Sequence, residues 1–380
     1  MRIGMVAGEP SGDYLGAGLL RTLKSIVPRL EVEGIAGPKM IEEGAKSLFP
    51  MDDISVIGVD GLLKNLPRLL EIRQELYQQF ISNPPDVFVG IDLPDFNLYL
   101  EEKLRARGIL TVQYVSPTVW AWRGWRINRI KRAVDHMLVL FPFEETYYRN
   151  HGVGVTFVGH PAADELPDDN ILGLRTGLEL PIEREIVALL PGSRLNEVTR
   201  LGSHFLDAAQ ILHDLRPGIE FSVPYVSPEI RAIFKRQKLR ISNEVILHEF
   251  DGQSVRLMAA ADAVLTASGT AALEATMLRK PMVVAYKVSG VSYFLAKLLM
   301  RTPYISMPNN LVGAPLVPEV LQQDVTGLRL SRELISILDD PERLAYMTNS
   351  LDIIYKQLKN NANKIAAKKI VTLSSSLVGP

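Results

Sequence analysis

Three times in this chain an apolar, strand-forming run ends in a turn of small residues, and a helix follows. Near the start, Arg2-Ile3-Gly4-Met5-Val6-Ala7 leads into Gly8-Glu9-Pro10-Ser11-Gly12-Asp13. In the second half, Ile186-Val187-Ala188-Leu189-Leu190 leads into Pro191-Gly192-Ser193-Arg194, and Ala263-Val264-Leu265-Thr266-Ala267 leads into Ser268-Gly269-Thr270. Unbroken apolar runs of this kind belong to strands buried on both faces, as in parallel sheets covered by helices. A small-residue turn lets a ligand reach backbone N–H groups, and the helix behind it presents its positive end. Such turns in both halves predict two α/β domains with a cleft between them that holds a phosphorylated substrate.

The chain has 380 residues, too many for one ordinary core and suited to two domains. Strands are expected near 2–7, 31–36, 86–91, 110–115, 136–141 and 155–159. A second series is expected near 186–190, 220–225, 245–249, 263–267, 281–286 and 304–307. Helical stretches fill the intervals. Pro161 to Arg184 breaks the alternation and reads as the linker. The expected organisation is therefore 1–165, 166–340, and a polar helical end over 341–380. A crossing back to the first domain is expected near Asp339–Lys359, and exchange of these helices between subunits is the alternative.

Net charge is −1, so no global field recruits nucleic acid. The absence of cysteine removes disulfides, thiolate nucleophiles and cysteine metal sites. No histidine pair has metal-ligand spacing, and neither a metal nor a cofactor is expected. No apolar run reaches the ~18 residues of a membrane span. The first residues read as a strand, not a signal peptide.

In open α/β sheets, ligands gather beyond the carboxyl ends of the strands. Ser268-Gly269-Thr270-Ala271-Ala272-Leu273-Glu274 stands there. Its helix end suits a diphosphate, and Glu274 could accept both hydroxyls of a ribose; the bland reading is a capped helix with a solvated Glu. Gly192, Ser193 and Arg194, with Glu197 behind them, offer a guanidinium fork for phosphate oxygens. Gly8–Asp13 lacks the glycine spacing of a dinucleotide fingerprint, so NAD is not expected. Glu9, Ser11 and Asp13 there are read as acceptors for sugar hydroxyls or a base, or else as turn chemistry. Asp92 ends a strand and is read evenly as a general base or a structural acceptor. All three tryptophans fall within Trp120-Ala121-Trp122-Arg123-Gly124-Trp125. Apolar–basic stripes over Leu62, Leu63, Lys64, Leu66 and Arg68, and over Val291, Phe294, Leu295, Lys297, Leu298, Leu299 and Arg301, are core helices or surfaces for anionic lipid.

Together these pieces resemble the lipid-A-disaccharide synthase family. The resemblance is carried by Ala7–Asp13, Asp86–Asn97, Tyr114–Arg123, Phe157–Pro161, Leu189–Arg194 with Glu197, Ala267–Glu274, Pro281–Val284 and Pro308-Asn309. It implies a GT-B fold of two Rossmann-like, doubly wound domains and an inverting, metal-independent UDP-sugar glycosyltransferase. It implies UDP-2,3-diacylglucosamine as donor, 2,3-diacylglucosamine 1-phosphate as acceptor and a β-1,6 disaccharide 1-phosphate as product. Arg194, Glu274 and Asn309 then fall at the UDP side with Gly192, Ser193, Ser268, Gly269 and Thr270. Asp92 falls where a base is proposed, with Glu9 as its rival. Ser11, Gly12, Asp13, Trp122 and Arg123 fall at the acceptor side. Ala314 stands where many relatives carry a basic residue. The implied location is the inner face of the cytoplasmic membrane, peripherally bound, with a homodimer left open. The rival readings are a UDP-N-acetylglucosamine 2-epimerase, a sugar-nucleotide sensor without turnover, and a transferase acting on peptidoglycan lipid precursors.

Overall fold

The computed structural model describes residues 1–55, 59–122, 124–166, 170–290, 293, 298–300 and 302–376, without the side chains of 59–65. Arg123 and the residues Val291, Phe294, Leu295, Lys297 and Arg301 lie outside the described set, as do the side chains of Leu62, Leu63 and Lys64.

The chain divides into two units: Met1–Asp164 together with the segment from Leu358 onward, and Glu165–Gln357. The first unit holds a seven-stranded parallel sheet. Its strands are β1 (Arg2–Ala7), β2 (Glu31–Ala36), β3 (Lys46–Pro50), β4 (Val87–Ile91), β5 (Thr111–Tyr114), β6 (His136–Val139) and β7 (Val155–Phe157). They lie in the order β3-β2-β1-β4-β5-β6-β7. The second unit holds six parallel strands: β8 (Ile186–Leu190), β9 (Glu220–Tyr225), β10 (Leu247–Asp251), β11 (Ala263–Ala267), β12 (Met282–Tyr286) and β13 (Glu319–Leu321). Their order is β10-β9-β8-β11-β12-β13.

In both sheets the strand order reverses direction once, between β1 and β4 and between β8 and β11. There the loops after neighbouring strands diverge to opposite faces of the sheet and leave a crevice. β1, β4, β8 and β11 are buried nearly throughout, which is why they read as unbroken apolar runs. Proline opens many of the helices. Pro10, Pro38, Pro94, Pro142 and Pro228 each stand at a first helical turn, where the missing N–H costs nothing.

Two strands escaped the sequence reading, and one expected strand is absent. β3 is a half-buried edge strand without an apolar run. β13 has only three residues. The strand expected near 304–307 is instead loop and the start of the Met307–Val312 helix. Ser306 is fixed there by its amide and hydroxyl, both of which donate to Glu319 on β13. The expected linker holds a short helix, Ile171–Gly177. Buried Arg175 in that helix pairs with Asp262 at 2.7 Å and donates to the carbonyl of Ala260, which ties it into the second unit.

The Pro341–Leu358 helix runs to the point where the chain changes units. The Ala362–Ser375 helix belongs to the first unit and packs on the Pro10–Ile26 helix. Asp164 receives the backbone amides of Asn361 and Ala362 at 3.0 and 2.7 Å.

Candidate active site

In the second unit, a cavity of about 310 Å³ opens at the carboxyl ends of β8, β9 and β11. It is lined by Gly192, Ser193, Arg194, Glu197, Ser268, Gly269, Thr270 and Glu274 among others. The β8 and β11 loops bound it, so it sits where the strand order reverses. Gly269 has φ +149° and Gly192 φ +134°, backbone that a side chain rarely adopts. Both turns therefore need glycine.

The Thr270–Met277 helix starts at this cavity. The N–H groups of its first turn have no partner within the helix and suit an anion. The β8 loop differs. The Glu197 carboxylate accepts the amides of Ser193 at 3.1 Å and Arg194 at 3.3 Å and holds that loop in place. Arg194 itself is 81% exposed and lies 3.9 Å from Glu197, so most of its guanidinium capacity is unspent.

Glu274 is the decisive group. Burial pushes its carboxyl up to about 7. No described residue donates a hydrogen bond to it. A half-buried carboxylate kept without donors on a cavity wall is matched to a ligand that brings its own hydroxyl donors.

Asn309 departs from its expected role. Its Nδ2 donates to Val317 O and Glu319 Oε1, both at 2.9 Å, and its Oδ1 accepts the Val317 amide at 2.8 Å. The side chain is fully buried and its donors are used, so it braces the 304–319 loop and does not line the cavity described above.

In the first unit, β1 and β4 are neighbours with Ala7 opposite Ile91, so Glu9 and Asp92 follow adjacent strand ends. Asp92 and Leu93 both take left-handed backbone, with φ 49° and 43°. The Asp92 amide donates to Tyr114 O at 2.8 Å, and its carbonyl accepts Asn97 and Gln113, each at 2.9 Å. Its carboxyl is pushed above the usual range by burial, against which the Leu93 amide pulls down. A carboxylate raised in this way is a better proton acceptor at neutral pH. Glu9 is half-buried and Ser11 exposed on the turn beside it.

Two residues of that turn serve the fold. Asp13 is buried, and its two oxygens accept the amides of Lys39 at 3.0 Å and Met40 at 2.9 Å. It caps the Pro38–Glu42 helix and is not left for a sugar hydroxyl. Gly12 is buried where the helix packs on the strands, and a Cβ there would make only ordinary contacts, 3.4 Å from Ala7 Cβ and 3.5 Å from Ile91 O.

The tryptophans divide. Trp120 packs edge-on against Phe143 and donates to buried Glu144 at 3.0 Å. Trp122 donates to Thr118 at 2.7 Å, and Trp125 is 71% exposed. On the Val59–Ser82 helix, Leu69, Ile72, Leu76 and Phe80 enter the core, while Leu66 and Leu70 stay exposed. Arg68 there pairs with Glu71 at 2.9 Å and Asp53 at 3.4 Å. Among the described residues, no group of three or more histidine and acidic side chains could hold a metal, and no helix is long and apolar enough to cross a membrane.

The family model for lipid-A-disaccharide synthetase matches residues 3–372. The chain belongs to this family. Its sequence is 44% identical to the lipid-A-disaccharide synthase of Methylobacillus flagellatus, over 97% of this chain and 98% of that protein. The family makes the lipid A disaccharide with a UDP-sugar-dependent glycosyltransferase. In fold, the chain resembles a UDP-GlcNAc 2-epimerase from Neisseria meningitidis bound to UDP-GlcNAc, with TM-score 0.65 and 14% identity over 98% of this chain and 100% of that one. It is equally similar to Arabidopsis thaliana UGT89C1 complexed with UDP, with TM-score 0.65 and 14% identity over 98% and 99% of the two chains. These likenesses show the GT-B fold. Family membership at high identity separates the chain from the epimerases that share it.

Proposed function

We propose that this enzyme transfers 2,3-diacylglucosamine from UDP to the 6-hydroxyl of 2,3-diacylglucosamine 1-phosphate, with inversion. UDP binds the second unit. Glu274 accepts the ribose hydroxyls, and Arg194 with the first amides of the Thr270–Met277 helix receives the diphosphate. Asp92 takes the proton of the acceptor's 6-hydroxyl as that oxygen bonds to the anomeric carbon. The bond from that carbon to the diphosphate oxygen breaks, and its electron pair leaves with UDP. Arg194 and the helix end stabilise the charge that develops. The products are the β-1,6 disaccharide 1-phosphate and UDP.

The observation that carries the reading is Asp92. It is a carboxylate raised by burial, at the strand-order reversal of one sheet. A cavity lined by Arg194, Glu274 and the start of the Thr270–Met277 helix stands at the reversal of the other. Asp92→Asn should lower kcat by about 10²–10⁴-fold, the usual worth of a general base. Disaccharide formation followed by mass spectrometry measures it, and near-normal turnover would move the role to Glu9.

Both substrates carry acyl chains. Exposed Leu66 and Leu70 support contact with the inner face of the cytoplasmic membrane. Co-sedimentation with vesicles of anionic phospholipid, lost when Leu62, Leu63 and Leu66 become Ser, is the expected result. No binding by the intact protein would refute it.

A further inference from the structure

Behind Asp92 lies a buried group of polar side chains that the chemistry above does not use. Asn97 and Glu101 stand one turn apart on the Pro94–Arg105 helix, and Gln113 projects from β5. All three are fully buried. Gly90 on β4 makes the room. A Cβ there would fall 2.4 Å from Glu101 Oε1, 2.7 Å from Gln113 Oε1 and 2.9 Å from Asn97 Cβ. Three polar side chains thus converge on one point of the strand that delivers Asp92.

The backbone settles how the two amides are turned. Asn97 Nδ2 donates to Asp92 O at 2.9 Å. Gln113 Nε2 donates to Asp92 O at 2.9 Å and to Val115 O at 3.3 Å. Flipping either amide would set an oxygen against carbonyl oxygens. The remaining oxygens, Asn97 Oδ1 and Gln113 Oε1, are buried without a donor, and so are both carboxyl oxygens of Glu101. An ionised Glu101 would add a charge to a buried site whose unpaired oxygens are already all acceptors. A neutral Glu101 supplies the missing proton. Burial favours this form and holds its carboxyl well above the usual range.

The carbonyls gripped by these amides belong to strained turns. Asp92 and Leu93 have φ 49° and 43°, and Val115, a β-branched residue, has φ 77°. Such backbone persists only where its surroundings over-determine it. We propose that Glu101 is a positioning residue for the base: as a neutral carboxylic acid it donates its proton to Gln113 Oε1, and the amide pair so fixed holds the Asp92 turn. This role rests on Asp92 being the base.

Kinetics of Glu101→Gln and Glu101→Leu, with infrared spectra of both, test it. Glu101→Gln restores a donor of the same shape, and kcat should stay within about threefold. Glu101→Leu leaves Gln113 Oε1 unpaired, and kcat should fall by about 10²-fold, as for a misplacement of about 1 Å at the reacting groups. KM should change little, and the UDP dissociation constant, set by the second unit, should not change. The acid limb of the pH–rate profile should move to lower pH in Glu101→Leu as Asp92 becomes better hydrated. The infrared spectrum at neutral pH should show a protonated carboxylic acid band that Glu101→Gln lacks. The proposal is overturned if Glu101→Gln loses as much as Glu101→Leu, if Glu101→Leu keeps wild-type kcat, or if the band is absent. An active Asp92→Asn would remove the base, and the positioning role with it. The infrared band would still report the protonation of Glu101, so the two failures are distinguishable.

Discussion

Replacing Glu274 by Gln should move stability and nucleotide affinity in opposite directions. The Glu274 carboxyl rises from 4.5 to about 7 because burial penalises its charged form. The folded protein therefore holds this proton at pH values where the unfolded chain has released it. Stability falls as pH climbs from about 4.5 to about 7, and the full cost is present above that. The shift corresponds to roughly 3 kcal/mol, at about 1.4 kcal/mol per pKa unit. Glutamine carries no charge to desolvate. At pH 8.5 the variant should be more stable by up to about 3 kcal/mol, and the difference should vanish near pH 4.5. Binding should go the other way. A hydrogen bond to a charged acceptor is worth about 1.5–3 kcal/mol, so UDP-glucose should bind roughly 10–100-fold more weakly at pH 8.5. Wild-type affinity should fall as pH drops through about 7, where the carboxylate takes up its proton, and the variant's should stay flat. UDP-glucose is the better probe because its diphosphate diester does not titrate in this range. Calorimetry and thermal melts at pH 8.5 and pH 6 provide the readouts. A variant that binds UDP-glucose as tightly as wild type at pH 8.5 would refute the ribose role.

Arg194→Ala should weaken UDP binding by about tenfold or more, since an exposed guanidinium fork is lost from the proposed diphosphate site; an unchanged dissociation constant by calorimetry would contradict this. Asp13→Ala should cost about 2–4 kcal/mol of stability by orphaning two amides, with UDP affinity unchanged, as read from denaturant melts and calorimetry. Gly90→Ala should be destabilising because its methyl group would fall 2.9 Å from Asn97 Cβ as well as on the ends of buried Glu101 and Gln113; a wild-type melting temperature would show that this pocket relaxes freely.

The buried strands were legible because both their faces are apolar, and β1 runs over Arg2–Ala7 where its run of apolar residues does. β3 and β13 were not legible. An edge strand such as Lys46–Pro50 buries little, and its sequence does not alternate or run apolar. The turns around Gly192 and Gly269 could be read locally, since a positive φ demands glycine wherever it occurs. The roles of Asp13 and Asn309 could not. Each is decided by amides elsewhere in the chain, at Lys39 and Met40 for one and at Val317 for the other. Sequence shows a carboxylate or an amide beside a glycine turn but not whether a distant backbone group already occupies it. Glu101 and Gln113 were missed for a related reason. A Glu among Leu98, Leu100 and Leu104 reads as a solvated helix face until the burial of that face is known. The signal within reach was the i, i+4 spacing of Asn97 and Glu101, which sets both on one side of the helix that follows Asp92.

The central claim is the reaction itself. The direct measurement is to incubate the purified chain with UDP-2,3-diacylglucosamine and 2,3-diacylglucosamine 1-phosphate in detergent micelles, with and without EDTA, and to determine the product's anomeric linkage by NMR. A β-1,6 disaccharide 1-phosphate formed equally well in EDTA is the predicted result. An α linkage, or no disaccharide from a protein that still binds UDP, would contradict the account.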